Sequence, residues 1–221
     1  MLGLFDSGNG GLNTVRYIKE HAPEVDLVYL IDRRRAPYGT KSEKELVGIA
    51  DENIKRLVDM GAERVLIACC TASTVHPLLP SETAHISLPI ISAVADEARR
   101  STRTRRIGVI ATEHTVKSHA FRDALPDCEV YEHAAQWLVG AIDGGLCDGN
   151  VTASDVRKIE DTLWGVLNNH PDTLVLGCTH FPAVAETVAK IASAYGIGNV
   201  IDSARVGAEL LIKEAKKLTG Y

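Results

Sequence analysis

The sequence lacks what would send it to a membrane, a nucleic acid or an oxidising compartment. No apolar run approaches the roughly 20 residues that a membrane span needs. The N-terminal MLGLFDSGNGG has no basic segment followed by an apolar one, so no secretion leader is expected. Positive charge is scarce: 24 Lys and Arg face 29 Asp and Glu, a formal net charge of −5, which gives no electrostatic footprint for nucleic acid or an anionic lipid surface. The five cysteines, an odd number at irregular spacing, do not make a disulfide framework and point to a reducing, cytoplasmic setting. Small solutes are the expected partners.

What is present is apolar material, 45% of 221 residues, enough for one large domain or two small ones. Leu2-Gly3-Leu4-Phe5 is a short apolar run that stops at Asp6-Ser7, followed by Gly8, Gly10 and Gly11 and then a helical pattern through Val15 and Ile18 to Pro23. Leu27-Val28-Tyr29-Leu30-Ile31 reads as a strand, and Arg33 to Thr40, with Pro37-Tyr38-Gly39, as a loop. Ser42 to Glu45 has capping-box spacing and opens a helix whose apolar face is Leu46, Ile49, Ala50, Leu57 and Val58. Val65 to Ala68 is a strand ending at Cys69-Cys70-Thr71, and residues 88–93 supply a fourth, weaker strand.

The second half repeats the scheme. Ile107-Gly108-Val109-Ile110 echoes Leu2-Gly3-Leu4-Phe5 at an offset of 105, and the run ending at Cys178-Thr179 echoes the run ending at Cys69 at an offset of 109. Such matching suggests a duplicated unit. Residues 130–132 and 199–201 complete its strands, with helices expected over 115–124, 154–167 and 184–194. Apolar strands separated by helices argue for parallel sheets with right-handed crossovers. The expected fold is therefore α/β: two pseudo-symmetric, doubly wound domains with mostly parallel sheets and an active site in the cleft between them. Their bounds are 1–93 plus 203–221, and 94–202. The first crossing is expected at residues 93–97 and the return at Asp202, with a final amphipathic helix (Val206, Leu210, Leu218) packing back on the first domain.

In such sheets the residues just past the strands converge on one edge. Here they include Asp6-Ser7, Pro37-Tyr38-Gly39, Cys69-Cys70-Thr71, Ala111-Thr112 and Cys178-Thr179-His180. Each half thus presents one strand-end thiol. Two opposed thiols suit removal of a proton from one face of a carbon and delivery of another to the opposite face. Asp6 and His180 are placed to exchange protons with them, while Ser7, Thr71 and Thr179 supply donors for carboxylates. By internal alignment of its Cys-Thr pair with Cys178-Thr179, Cys70 competes with Cys69 as the base. Other readings are weaker. Asn13 stands where a dinucleotide loop needs its third glycine, and Val75-His76 where a cysteine phosphatase needs arginine. Cys69, Cys70, Cys178 and His180 are zinc-type ligands without the usual Cys-x-x-Cys bite, so no metal is expected.

Phe5-Asp6-Ser7-Gly8-Asn9-Gly10-Gly11-Leu12, Ala36-Pro37-Tyr38-Gly39, Ala68-Cys69-Cys70-Thr71-Ala72-Ser73 and Leu176-Gly177-Cys178-Thr179-His180-Phe181-Pro182 together resemble glutamate racemases of the cofactor-independent aspartate/glutamate racemase superfamily. The resemblance implies interconversion of L- and D-glutamate by two-base exchange at the α-carbon, supplying D-glutamate for peptidoglycan, with no cofactor and in a homodimer. It implies Cys69 and Cys178 as the bases, Asp6 and His180 as their assistants, and Ser7, Tyr38, Gly39, Thr71, Thr112, Thr115 and Thr179 as substrate contacts. Three positions depart from the pattern. Cys70 stands where asparagine is usual and is carried as a substrate contact, Asp143 where glutamate is common, and Gln136-Trp137 in place of Pro-Leu. Cys70 leaves two alternatives: a racemase for aspartate or another small acidic amino acid, and a silent member that binds a small acid.

Overall fold

The computed structural model describes residues 1–219, which divide into two units. Residues 1–93 with 204 onward form the first, and residues 94–203 the second. In the first unit β1 (Leu2–Asp6), α1 (Gly11–His21), β2 (Leu27–Ile31), α2 (Glu43–Asp59), β3 (Arg64–Ile67), α3 (Cys70–Ser73), α4 (Ser81–Ile86) and β4 (Ser87–Pro89) follow in order. Helix α5 (Ile90–Ser101) leads into the second unit, with β5 (Arg106–Ala111), α6 (Glu113–Ser118), α7 (Ala120–Ala124), β6 (Glu129–Ala134), α8 (Gln136–Asp143), α9 (Ala153–Leu167), β7 (Thr173–Gly177), α10 (Ala185–Ala194) and β8 (Asn199–Asp202). Helix α11 (Ser203–Thr219) closes the chain.

Each unit is built on a four-stranded, wholly parallel sheet, ordered β2-β1-β3-β4 in the first and β6-β5-β7-β8 in the second. Central strands β1 and β7 are buried along their whole length, so both faces must be apolar and no in/out alternation survives. In the first unit Phe5, Leu46, Ile54, Leu57, Val65 and Ile67 form one core. In the second Ile110, Leu163, Val166, Leu174, Leu176 and Phe181 form the other. The helices that cover corresponding strands start alike. Ser42 and Glu45 close a capping box on α2, and Thr152 and Asp155 close one on α9.

The duplication extends to side-chain packing. A Cβ on Gly3 would lie 3.0 Å from the Ala62 Cβ and 3.3 Å from the Leu57 Cβ, whereas one on Gly108 would lie 3.2 Å from the Val166 Cβ and 3.3 Å from the Pro171 Cγ. Leu57 and Val166, like Ala62 and Pro171, are 109 residues apart, the same offset as Cys69 and Cys178. In both sheets the glycine lets the same helix position seat directly on the strand.

Four expectations change. The apolar run at residues 88–93 is not one strand: only Ser87–Pro89 pairs with β3, and Ile90 begins α5. Ile90, Ile91, Val94, Ala95 and Ala98 are all buried, a helical stripe rather than an alternation. The crossing at 93–97 is accordingly helix, not linker. The single helix over 115–124 is two, broken where His119 takes a left-handed conformation with φ 55°. On α11, Leu218 is exposed, and the inward face is carried by Val206, Ala208 and Leu211. Helix α8, absent from the sequence reading, fills the stretch after β6. Replacing Gly108 by valine should destabilise the second unit by about 1–3 kcal/mol through overpacking, read as a lower denaturant midpoint at unchanged slope. An unmoved midpoint would show that Val166 is not seated against this strand.

Candidate active site

The first cluster forms where β1 and β3 end. Ala68 donates its N–H to Phe5 O at 3.1 Å, which carries the pairing one residue past β3 and sets Cys69 beside Asp6-Ser7. The Ser7 hydroxyl lies 3.4 Å from the Cys69 sulfur and donates to Asp6 Oδ1 at 3.3 Å. Asp6 is fully buried and Cys69 nearly so. Burial, and then the Asp6 charge, push the Cys69 thiol up to about 11, opposed by Ser7 and by backbone amides of Ala72 and Ser7. At neutral pH this sulfur is a thiol. Gly11 lets α1 start here: a Cβ on it would stand 2.6 Å from the Tyr29 hydroxyl and 2.9 Å from the Asp6 Cβ. Tyr29 donates to Gly8 O at 3.0 Å and holds the glycine-rich turn.

Where β2 ends, Asp32 donates its backbone N–H to Asp6 O at 2.9 Å. Its Oδ2 accepts from Arg35 Nε at 2.6 Å, from the Tyr38 hydroxyl at 2.6 Å and from Asn53 Nδ2 at 3.3 Å. Arg35 also donates to Asn53 Oδ1 at 2.6 Å. Tyr38 is buried, and its phenol is pushed far up by that burial and by the bond to Asp32. The Tyr38 hydroxyl is therefore engaged with Asp32.

The second cluster forms where β7 ends. Cys178 Sγ lies 3.7 Å from His180 Nδ1, and His180 Nε2 lies 3.3 Å from Asp143 Oδ1. An Nε2–H directed to Asp143 leaves Nδ1 as the ring acceptor that faces the thiol. Cys178 and His180 are buried, whereas the Asp143 side chain is 52% exposed. Gly177 ends β7 in close packing: a Cβ there would lie 2.9 Å from Phe121 Cε2 and 3.0 Å from Ile110 O. Thr112 caps α6 by accepting from Thr115 N at 3.3 Å, and the two hydroxyls are 2.9 Å apart and buried. Thr71, Cys70 and Thr179 are buried beside the two thiols in sequence.

Sheet register aligns the two clusters. Gly3 pairs with Val65 and Gly108 with Leu174. Counting on from these pairs makes Cys69 equivalent to Cys178 and Cys70 to Thr179. Residues that sequence reasoning left out are Asp143, noted only as a departure from a family pattern, and the Asp32–Arg35–Asn53 group behind Tyr38. Asp143 lies 37 positions before His180, at the end of α8 while His180 sits in the turn after β7, so no local spacing signals their pairing. Among the described residues no group of three or more His, Cys, Asp or Glu is disposed to hold a metal ion, and no helix is long and apolar enough to cross a membrane.

The chain is similar to known proteins in both sequence and fold. The family model described as Asp/Glu/Hydantoin racemase matches residues 12–211. The chain is 35% identical to a glutamate racemase of Aquifex aeolicus over 95% of its own length and 81% of that protein's. It is 37% identical to one of Neisseria meningitidis over 94% and 77%. Among solved structures, a glutamate racemase of Francisella tularensis in complex with D-glutamate superposes with a TM-score of 0.83 at 27% identity, over 99% of this chain and 81% of that one.

The Asp6 charge opposes ionisation of Cys69, so Asp6→Asn should lower the Cys69 pKa from about 11 and speed its alkylation by iodoacetamide at pH 9, followed by peptide mass spectrometry. A rate equal to or below wild type would show that the carboxylate does not govern the thiol.

Proposed function

The chain belongs to the Asp/Glu/Hydantoin racemase family, and from that premise we propose that it is a glutamate racemase that inverts the α-carbon with Cys69 and Cys178 as its two acid/base groups. The observation that carries this is the matched pair of proton chains: Cys69 to Ser7 to Asp6, and Cys178 to His180 to Asp143. Each links a buried thiol, at the same register past the equivalent strand of its own sheet, to a carboxylate. The glutamate racemase structure solved with D-glutamate supports the choice of substrate.

The chemistry needs one thiolate and one thiol. One sulfur takes the α-proton, leaving the electron pair on carbon delocalised towards the carboxylate, and the other gives its proton to the opposite face. Nothing is oxidised or reduced, and turnover leaves the two sulfurs with exchanged protonation states. Cys69 is the resting donor, since burial and Asp6 hold it as a thiol. Cys178, 3.7 Å from His180 Nδ1, is the partner sulfur on the opposite face. Asp6, through Ser7, accepts the Cys69 proton when the reaction runs the other way. Ser7, Cys70, Thr71, Thr112, Thr115 and Thr179, with the main chain of Tyr38-Gly39, supply donors for the two carboxylates. The odd number and irregular spacing of the five cysteines support a reducing, cytoplasmic setting, where D-glutamate would feed peptidoglycan synthesis.

Incubation of the full chain with L-glutamate in deuterated buffer should give D-glutamate labelled at the α-carbon. Cys69→Ala and Cys178→Ala should each abolish inversion, while exchange from one enantiomer alone persists. Inversion of aspartate without glutamate would move the substrate, and absence of exchange with either amino acid would overturn the reading.

A further inference from the structure

Nothing in the proton chain itself explains why Asp143 stays against His180. Asp143 is the last residue of α8, more than half exposed, and is followed by two glycines, the second with φ 104°. An exposed carboxylate on such a helix end has no packing to hold it. The restraint comes from five residues further on. Asp148 donates its backbone N–H to Ala183 O at 2.8 Å. Its carboxylate accepts from Glu186 N at 2.9 Å, from Thr187 N at 2.9 Å and from the Thr187 hydroxyl at 2.7 Å. Val184, which precedes α10, has no side chain that can cap the helix, so Asp148 satisfies those amides from a distant loop. Its charge also opposes the positive end of the helix dipole.

This staple joins the two segments that carry the relay. The turn that begins at Phe181 directly follows His180, and α10 follows that turn. On the other side, the loop from Asp143 to Asp148 is closed on itself: Leu146 N donates to Ala141 O at 3.0 Å, Cys147 N to Asn150 Oδ1 at 2.9 Å, and Asn150 Nδ2 to Gly145 O at 2.8 Å. A loop so closed passes the anchoring of Asp148 back to Asp143.

We propose that Asp148 is a positioning residue for the Cys178–His180–Asp143 chain, holding the Asp143 carboxylate within reach of His180 by tying its loop to the start of α10. The inference rests on the racemase reading above. It predicts that Asp148 acts through Asp143 and through nothing else.

The test is a double-mutant cycle on L-glutamate racemisation by the full chain. Asp148→Ala should lower kcat roughly tenfold or more, as misplacement of a catalytic group does, with KM little changed. Asp143→Ala should lower kcat comparably, and the double variant should be no slower than Asp143→Ala alone. Asp148→Asn, which keeps a carbonyl oxygen for Thr187, should recover part of the loss. If Asp148→Ala does not fold, Thr187→Val, which removes only the hydroxyl bond, goes through the same cycle. Wild-type kcat in the Asp148 or Thr187 variant, or an equal further loss in the Asp143→Ala background, overturns the inference while leaving the racemase intact. Inactivity of the wild type overturns both.

Discussion

A sulfur that trades protons with carbon must be kept out of water, yet it must have somewhere to pass its proton. Those demands conflict, because burial disfavours the thiolate. In this protein the conflict is met by one bridging side chain between each buried thiol and a carboxylate. Ser7 bridges Cys69 to Asp6, and His180 bridges Cys178 to Asp143. Much else in the two units can be read as support for those bridges. Gly11 lets α1 start against Asp6 and Tyr29, and Gly177 lets β7 end tightly against Phe121 and Ile110. Asp32 ties the end of β2 to Asp6 through the main chain and fixes Tyr38 through its carboxylate.

The edges of the sheets were legible because parallel strands turn a linear pattern into a place: each apolar run ends where the chemistry begins. Asp6, Ser7, Cys69, Cys178 and His180 all sit within three residues of a strand end, and the glycine and cysteine offsets exposed the duplication before any coordinates. What could not be read depends on partners distant in sequence. Asp143 meets His180 across 37 residues, and Asn53 meets Asp32 across 21, and neither separation has a period to betray it. The misread strand at residues 88–93 failed for a different reason. A short apolar run suits a buried strand and a buried helix equally, and Pro89 tips it to a helix start by closing the ladder after three residues. Tyr38 shows a third limit, since a motif names the residue but not that its hydroxyl is taken up by Asp32.

The duplication preserves backbone and packing more strictly than it preserves chemistry. Glycine, helix contact and cysteine recur at matching register, but the bridging groups do not. By the offset of 109, Thr71 corresponds to His180, and by the offset of 105, Asp6 corresponds to Ala111 and Ser7 to Thr112. The first unit draws both bridge and carboxylate from the end of β1. The second draws its bridge from the turn after β7 and its carboxylate from α8, a helix that comes between the two central strands in the chain. The fold therefore fixes where a thiol can stand, while the partner that handles its proton can be supplied by whichever element reaches it.

That difference in supply gives the two thiols different surroundings. Asp6 is fully buried, so its charge acts on Cys69 through a medium that screens it poorly, and the sulfur is held as a thiol. Asp143 is about half open to solvent, where water screens its charge. A racemase with two identical bases would have no preferred resting state. With one carboxylate inside the fold and the other at its surface, only the first acts on its thiol through a poorly screened medium, so under the proposed mechanism the two sulfurs are not interchangeable.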